Sequence, residues 1–197
     1  MKIVIASKNE GKITEIKKIL DLNSLEFLTY NDFIEWPEVE ETGSSFNENA
    51  TLKAQKLAEY FKIPALADDS GLEVDVLGKE PGVYSSRYAG ELATDEKNII
   101  KLLDNLKEYP LEKRTARFRC CAVLFTTTGE IFKTEGVCEG HITFESQGSN
   151  GFGYDPVFVP DGFDKTVAEL PIKVKNKISH RGQAFRKMKD VLSKLKI

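Results

Sequence analysis

Segments with the apolar spacing of β-strands alternate with segments that have the spacing of helices in both halves of the chain. Strands are predicted over residues 2–6, 26–30, 63–66, 72–77, 115–127, 130–138 and 157–159. Helices are predicted to begin at Gly11, Ser45, Thr94 and Ser179, and the second runs to about Lys62. Such alternation is typical of α/β proteins. We therefore expect a mixed central β-sheet flanked by helices, split by a cleft into two lobes.

The length and charge of the chain exclude several classes of protein. With 197 residues, of which 41% are hydrophobic, the chain is long enough for a substantial core and short enough for one domain over residues 1–197. A net charge of -3 argues against a nucleic acid as the main partner. No apolar run approaches the roughly 20 residues of a membrane span, and no signal-peptide pattern follows Met1. We expect a soluble cytoplasmic protein with no membrane or nucleic-acid partner.

The three cysteines are an odd number and lack the paired spacing of a zinc site. Cys120, Cys121 and Cys138 lie in apolar, strand-like sequence, which favours thiols buried in a core. A hairpin that turns near Thr128-Gly129 would place Cys138 roughly opposite Cys120, so the alternative is a cross-strand disulfide under oxidation. Such a bond does not persist in a reducing cytoplasm.

Two adjacent carboxylates, Asp68 and Asp69, follow the apolar run 63–66 and precede Gly71. We expect a buried strand to end here. Because neighbouring residues of a strand point to opposite faces, one aspartate can face the cleft while the other anchors a turn. Ligands of α/β folds bind at the carboxyl ends of strands, and hard divalent cations prefer oxygen donors. The alternative is an ordinary turn, since Asp-Asp-Ser-Gly is also a good turn sequence.

An acidic loop with Glu38, Glu40 and Glu41 precedes the second predicted helix. Solvated charge is the simplest interpretation of such a loop. If the loop meets Asp68 and Asp69 in space, it completes the two or so acidic ligands that Mg²⁺ takes beside phosphate oxygens and water. The chain has only two histidines, so a histidine-rich transition-metal site is not expected.

The turn between the first strand and the first helix suits a phosphate group. Its sequence is Ser7-Lys8-Asn9-Glu10-Gly11-Lys12. Backbone N–H groups and the positive end of the helix would face such a ligand, Gly11 permits its close approach, and the two lysines add charge. The alternative is an ordinary strand-turn-helix with surface lysines, because the sequence is not a Walker motif.

Glycines bracket two aromatic residues in the loop that precedes the last predicted strand. The loop contains Gly151-Phe152-Gly153-Tyr154-Asp155. Glycine makes such a loop conformationally permissive, and flat rings held in it can stack on a nucleobase. Packing of the aromatic rings into the core is the alternative.

Positive charge gathers at the start of the last predicted helix, in Lys175 and Ser179-His180-Arg181-Gly182. A cation beside the positive end of a helix dipole is unfavourable unless an anion or a carbonyl ligand balances it. This local conflict between sequence and structure favours a functional site over an accidental surface cluster.

In their order along the chain, these motifs resemble those of one family, the inosine triphosphate pyrophosphatases, over nearly the whole length. Further shared motifs are Glu41-Thr42-Gly43, Glu48-Asn49-Ala50 and Pro81-Gly82-Val83-Tyr84. The resemblance implies a mixed-sheet fold with a deep cleft between two lobes, and a homodimer. It also implies hydrolysis of ITP, dITP and XTP to the monophosphate and pyrophosphate, which keeps these purine nucleotides out of DNA and RNA. Mg²⁺ is the implied cofactor, with Mn²⁺ as a substitute.

The resemblance further implies a role for each matching residue. Asp69 is the expected metal ligand and proton acceptor, and Asp68, Glu40 and Glu41 are further candidate metal ligands. The expected substrate contacts are Ser7 to Lys12 with the triphosphate, Ser70 with the substrate, Phe152 to Asp155 with the nucleoside, Lys175 with phosphate, and His180 and Arg181 with the base edge. The alternatives are a related pyrophosphatase for modified or pyrimidine nucleotides and a nucleotide sensor without hydrolytic activity.

Overall fold

The computed structural model describes residues 1–22 and 24–195. In this part of the chain the strands are β1 (Lys2–Ile5), β2 (Glu26–Leu28), β3 (Ala65–Val74), β4 (Thr115–Phe125), β5 (Ile131–Ile142) and β6 (Phe158–Pro160). The helices are α1 (Glu10–Leu20), α2 (Phe46–Phe61), α3 (Asp95–Leu106), α4 (Ile172–Ile178) and α5 (His180–Lys194). Short 3-10 turns connect several of these elements.

The strands form one mixed sheet in the order β2-β1-β3-β4-β5-β6. β1 pairs in parallel with β2 and with β3, so that Val4 lies opposite both Leu28 and Ala65. β5 pairs with β6 in antiparallel orientation, with His141 opposite Val159. The mixed sheet with its helices confirms the predicted α/β class.

The chain divides into two compact units. Unit 1 comprises Met1–Asp69, Cys120–Gly136 and the chain from Arg181 onward, and unit 2 comprises Ser70–Arg119 and Val137–His180. The boundary therefore falls within β3, β4 and β5 and at the start of α5.

The core of unit 1 consists of strand residues packed against the apolar stripes of α1 and α5. Because residues three and four apart share one face of a helix, these stripes face inward as the sequence predicts. The buried residues include Ile3 and Ile5 of β1, Ile13, Ile16 and Leu20 of α1, Leu66 of β3, and Ala184, Phe185, Met188 and Leu192 of α5. Each large buried side chain of this kind stabilises the fold by roughly 1.5–3 kcal/mol.

The core of unit 2 is built in the same way around α3. The apolar stripe of this helix packs with buried residues of β3, β4, β5 and β6 and with two aromatic residues from loops. The buried set includes Leu72, Val74, Tyr88, Ile99, Leu102, Leu106, Ala116, Phe118, Cys138, Tyr154 and Phe158.

The prediction that a strand ends at the aspartates is wrong. β3 continues through Asp68, Asp69 and Gly71 to Val74, and the predicted strand over 72–77 is its second half followed by a 3-10 turn. The backbone stays extended because the aspartate side chains bond to distant side chains instead of to a local turn. The polar sequence Asp-Asp-Ser-Gly is thus an internal part of a buried strand.

Most of the remaining elements follow the predictions, but β2 ends at Leu28 instead of residue 30, and β5 continues to Ile142 instead of ending at residue 138. Ser45 caps α2 by accepting a hydrogen bond from the backbone of Glu48 at 3.2 Å, and the helix ends before Lys62 as expected. α4 was not predicted.

The three cysteines are free and buried, which confirms that they are core thiols. Within residues 1–22 and 24–195, no helix is both long enough and apolar enough to cross a membrane.

Candidate active site

Asp69 is held by two side chains of α2. It is 6% exposed, its Oδ1 lies 3.0 Å from Nζ of Lys53, and its Oδ2 accepts a hydrogen bond from Nδ2 of Asn49 at 3.3 Å. Residues four apart lie on the same face of a helix, so α2 presents an ammonium and an amide together. Lys53 also contacts Oε1 of Glu41 at 3.1 Å. One ammonium group therefore joins two carboxylates from different parts of unit 1.

The acidic loop reaches this group through Glu41, whereas Glu40 is exposed. Beyond Glu41, the backbone N–H of Gly43 donates to Oδ1 of Asn49 at 2.8 Å. A Cβ atom on Gly43 would lie 2.6 Å from Cβ of Glu48, so this close approach requires glycine. Asn49 thus bonds both to the loop and to Asp69.

Asp68 is surrounded by a different group of side chains in unit 1. Its Oδ2 lies 3.2 Å from Nζ of Lys12 and 3.2 Å from Nη2 of Arg181. Nη1 of Arg181 donates to Oε2 of Glu15 at 2.7 Å, and Sγ of Cys120 lies 3.9 Å from Asp68. Arg181 is therefore engaged by two buried carboxylates, whereas the family resemblance implied a contact with the base edge.

The two groups shift the pKa values of the aspartates in opposite directions. Burial raises the pKa of Asp69, and the attraction of Lys53 and Lys12 offsets this only in part. Burial acts in the same direction on Asp68, but Lys12 and Arg181 outweigh it and hold its pKa below the ordinary range. Asp68 is thus a stable anion, and Asp69 is the better proton acceptor of the two.

Lys53 keeps its charge between the two carboxylates. Burial by itself lowers the pKa of Lys53, but the nearby charges of Asp69 and Glu41 outweigh this, and the pKa is raised. A protonated lysine at this position can neutralise anionic oxygens of a ligand.

The predicted phosphate turn is the N-terminus of α1. Asn9 caps the helix by accepting a hydrogen bond from the backbone of Lys12 at 3.0 Å, and Ser7 Oγ accepts one from the backbone of Asn9 at 3.1 Å. The helix begins at Glu10, one residue before the predicted start. The amides of Glu10 and Gly11 belong to the first turn, where an α-helix has no carbonyl partners for them.

Side chains of this turn have different surroundings. Lys8 is exposed, and Lys12 is half-buried against Asp68. The carboxylate of Glu10 accepts hydrogen bonds from the hydroxyl of Tyr30 and, at 3.5 Å, from Nδ2 of Asn31. Lys12 is therefore the lysine of this turn that lies closest to the aspartates.

A magnesium site must be tested against the donors that unit 1 offers. Among the residues that the structure describes, no three histidine, cysteine or acidic side chains are grouped to hold a metal ion. Mg²⁺ commonly takes only one or two protein carboxylates and completes its shell with water and phosphate oxygens. Asp69 and Glu41 fit this requirement because both carboxylates contact the same ammonium group, that of Lys53, and therefore lie close together. Asp68 is already bound by Lys12 and Arg181, and Glu40 lies in solvent.

Unit 2 contains the second group of predicted residues. Oδ2 of Asp155 accepts a hydrogen bond from the backbone of Phe152 at 3.0 Å and lies 2.7 Å from Nζ of Lys175. The same Nζ lies 4.6 Å from the centre of the Phe152 ring. Gly151 has φ +82°, and a Cβ atom there would lie 2.0 Å from Asp155, so the loop requires glycine at this position. Asp155 thereby fixes both the loop and a buried lysine.

The two rings of the loop have different environments. Tyr154 is buried in the core of unit 2, and its hydroxyl donates to the carbonyl of Ser85 at 2.8 Å. Phe152 is half-buried under Lys175. The backbone of Gly153 donates to Asp95 at 2.7 Å. The alternative of core packing therefore applies to Tyr154, and Phe152 is the ring better placed for stacking.

His180 and Ser70 are the remaining predicted residues, and both belong to unit 2. The His180 ring stacks on Phe118, with centroids 4.8 Å apart and an interplanar angle of 12°. Ser70 is half-buried in β3, directly after Asp69. His180 is thus held by an aromatic partner, whereas the next residue, Arg181, is held by carboxylates.

Sequence reasoning missed Lys53 and Glu15, and it named Asn49 only within a shared motif, without a role in the site. Asn49 and Lys53 border the apolar stripe of α2, where a polar residue among buried positions is a signal that could have been used. In α1, Glu15 is likewise a polar residue among buried apolar ones, between Ile13 and Ile16. Their partners are far away in sequence, so the contacts themselves were not predictable.

Taken together, unit 1 is an α/β framework that holds a buried, proton-accepting carboxylate beside cations suited to a polyanionic ligand. Residues 3–191 match the model of the Ham1 family, and the chain belongs to this family. The resemblance inferred from the motifs is thereby confirmed.

Similar proteins cover nearly the whole chain. It is 48% identical to the dITP/XTP pyrophosphatase of Halalkalibacterium halodurans, over 94% of this chain and 95% of that protein. It is 51% identical to the dITP/XTP pyrophosphatase of Elusimicrobium minutum, over 95% of this chain and 98% of that protein. The solved structure of a HAM1 protein from Coxiella burnetii matches with a TM-score of 0.90 and 43% identity, covering 99% of this chain and 100% of that one.

Proposed function

We propose that this protein hydrolyses dITP, XTP and ITP to the nucleoside monophosphate and pyrophosphate, and so removes them from the nucleotide pool. The observation that carries the proposal is the environment of Asp69, a buried carboxylate with a raised pKa that Lys53 holds beside Glu41. Similarity over nearly the full length to dITP/XTP pyrophosphatases supports the class of substrate.

Asp69 and Glu41 are the residues that would hold Mg²⁺, with Mn²⁺ as a substitute. When bound, the ion would neutralise charge on the triphosphate and on the departing pyrophosphate. The donor set supports this assignment, because the carboxylates of Asp69 and Glu41 lie 3.0 Å and 3.1 Å from the same Nζ of Lys53, and Mg²⁺ commonly takes one or two protein carboxylates.

The residues of unit 1 supply the remaining parts of a phosphoryl-group hydrolysis. The first-turn amides of α1 and the ammonium of Lys12 bind phosphate oxygens. Asp69 accepts a proton from the attacking water at its carboxylate, for which a raised pKa makes it a stronger base than an ordinary aspartate. Attack in line with the leaving group at the α-phosphorus then releases pyrophosphate. Lys53 offsets negative charge beside the reacting group.

Recognition of the base falls to unit 2 in this proposal. The Phe152 ring stacks on the purine, and a donor from His180 meets O6 of hypoxanthine or xanthine. Adenine presents an amino group at this position and leaves the donor unpaired, which disfavours ATP. Guanine shares O6, so this contact alone does not exclude GTP.

The test supplies dITP, XTP, ITP, GTP and ATP with Mg²⁺ and measures pyrophosphate and orthophosphate separately. Pyrophosphate is expected from the first three nucleotides. Orthophosphate as the direct product would contradict the proposed cleavage, and binding of dITP without turnover would favour a nucleotide sensor. Glu41→Gln should raise the Mg²⁺ concentration needed for half-maximal turnover, and Glu40→Gln is its matched control in the same loop.

The proposal also includes a homodimer that works in the cytoplasm as a single two-lobed domain. Its support is the resemblance to the pyrophosphatase family. Light scattering should give twice the mass of the chain, and a monomeric mass at enzyme-assay concentrations would contradict the dimer.

A further inference from the structure

Residues 33–45 connect the 3-10 turn Tyr30–Asp32 to α2 and form neither helix nor strand. This segment carries Glu41, which together with Asp69 contacts Lys53. Regular elements are held in place by backbone hydrogen bonds, but an irregular segment depends on side-chain and isolated backbone contacts. The position of Glu41 therefore depends on what holds segment 33–45.

Segment 33–45 runs along α2 in the opposite direction to the helix. Its successive contacts start at the last turn of α2 and finish at the first. In chain order they join Phe33 to Phe61, Glu35 to Tyr60, Glu41 to Lys53, Gly43 to Asn49 and Ser44 to Glu48. Contacts at both ends of α2 thus hold the segment along the helix, and Glu41 lies between these two sets of contacts.

At the C-terminal end of α2, the contacts form an aromatic cluster of Phe33, Trp36 and Phe61. Phe33 stacks on Phe61 with ring centroids 3.9 Å apart and an interplanar angle of 27°. Trp36 packs on the same ring at 5.5 Å and on Phe33 at 5.9 Å. Packed aromatic pairs stabilise beyond the area they bury. Tyr30 also contacts Trp36, and its hydroxyl bonds to Glu10, the first residue of α1.

We infer that Phe33 and Trp36 are positioning residues, which hold segment 33–45 along α2 and thereby keep Glu41 beside Lys53 and Asp69. The inference rests on the proposed function, in which Glu41 and Asp69 bind the metal ion. α2 links the two places because Phe61 and Lys53 lie on one helix, about 12 Å apart along its axis. Side chains that orient metal ligands commonly change metal affinity by about 10–100-fold when they are altered.

The first experiment replaces the stacked ring while keeping apolar bulk, in Phe33→Leu. Mn²⁺ is titrated into the protein without nucleotide, and the free ion is followed by electron paramagnetic resonance. We expect Mn²⁺ to bind about three- to tenfold more weakly than to the unaltered chain, a smaller change than loss of a direct partner causes. The Mg²⁺ dependence of dITP turnover should shift by a similar factor, with kcat at saturating Mg²⁺ within about twofold.

Two further variants separate positioning from general loss of stability. Trp36→Leu removes the second ring that packs on Phe61 and should also weaken Mn²⁺ binding. Phe132→Leu is the matched control, because Phe132 is a half-buried phenylalanine of β5 that packs against the core of unit 1. It should lower the melting temperature while leaving Mn²⁺ affinity unchanged. Trp36 is the only tryptophan in the chain, so a red shift of its emission in Phe33→Leu reports opening of the cluster.

The outcomes distinguish this inference from the proposed function. Unchanged Mn²⁺ affinity in folded Phe33→Leu and Trp36→Leu would overturn the positioning role, and so would equal weakening in Phe132→Leu. If Phe33→Leu does not fold, the result for Trp36→Leu decides. An unaltered chain that releases no pyrophosphate from dITP would refute the proposed function, whereas weakened Mn²⁺ binding in the two variants would still support positioning of Glu41.

Discussion

Asp68 and Asp69 are adjacent in one strand and both are buried, yet their surroundings give them opposite properties. Because a strand sends neighbouring side chains to opposite faces, Asp68 meets Lys12 of α1 and Arg181 of α5, whereas Asp69 meets Lys53 of α2. The pKa of Asp68 is lowered and that of Asp69 is raised. The difference lies in the elements packed on each face of β3.

The charges of the two groups sharpen this contrast. Around Asp68, two carboxylates face two cations, because Glu15 pairs with Arg181. Around Asp69, two carboxylates share Lys53. The buried ion pairs of the first group suit a structural role, whereas the second group brings two carboxylates to one ammonium, which is the arrangement proposed above for metal binding.

Asp69→Asn should give the largest effect, because it removes the proposed proton acceptor and one metal ligand. We expect kcat/KM for dITP to fall by about 10²–10⁴-fold, the usual contribution of a general base. Steady-state pyrophosphate release at several Mg²⁺ concentrations measures this loss, and excess Mg²⁺ should not restore the rate. Near-normal turnover would show that another residue is the base. The contrast between a structural Asp68 and a catalytic Asp69 would then fail.

Asp68→Asn should instead act on stability. It leaves Lys12 and Arg181 with one carboxylate fewer in a buried site, and breaking such a pair costs roughly 3–5 kcal/mol. Urea unfolding measures the change in the free energy of unfolding. Asp75→Asn is the control, since Asp75 makes a more exposed ion pair with Arg117 at 2.8 Å and should cost less than about 1 kcal/mol. Equal losses in the two variants would show that Asp68 is not a special anchor.

The pH dependence of stability should differ in sign between the two aspartates. A carboxylate with a lowered pKa contributes stability that is present above its unfolded pKa and lost as the pH falls below it. Asp68 should therefore make unfolding easier below about pH 3.8, and Asp68→Asn should flatten this slope. The raised pKa of Asp69 acts in reverse, because its contribution declines as the pH rises above 3.8 towards the folded value.

Urea unfolding between pH 3 and pH 7 tests this difference in slope. One proton corresponds to about 1.4 kcal/mol per pH unit, so each slope is measurable. Asp69→Asn should remove the decline above pH 3.8 and leave the loss below it. Parallel profiles for the unaltered chain and both variants would contradict the opposite pKa shifts.

Local pattern was enough to predict most elements and the importance of the aspartates, but not their environment. The turn chemistry of Asp-Asp-Ser-Gly suggested that the strand ends, because adjacent carboxylates rarely continue through a buried strand. They do so here because Lys12, Lys53 and Arg181 arrive from three helices. The cluster at the start of α5 indicated that its positive charge needs an anion or a carbonyl ligand. That the anions are Asp68 and Glu15, 113 and 166 residues away, depends on tertiary packing alone.

Cys120→Ala should give the smallest effect, because the thiol makes only a weak contact with Asp68. Its Sγ lies 3.9 Å from Oδ2, and a thiol is a poor hydrogen-bond donor. Burial and the charge of Asp68 raise the pKa of Cys120, so the thiol stays neutral and adds no charge to the group. We expect a loss of about 1 kcal/mol in urea unfolding, the average for a point substitution, with unchanged dITP turnover and an unchanged slope below pH 3.8. A loss as large as that of Asp68→Asn would mean that the thiol, and not the two cations, determines the state of Asp68.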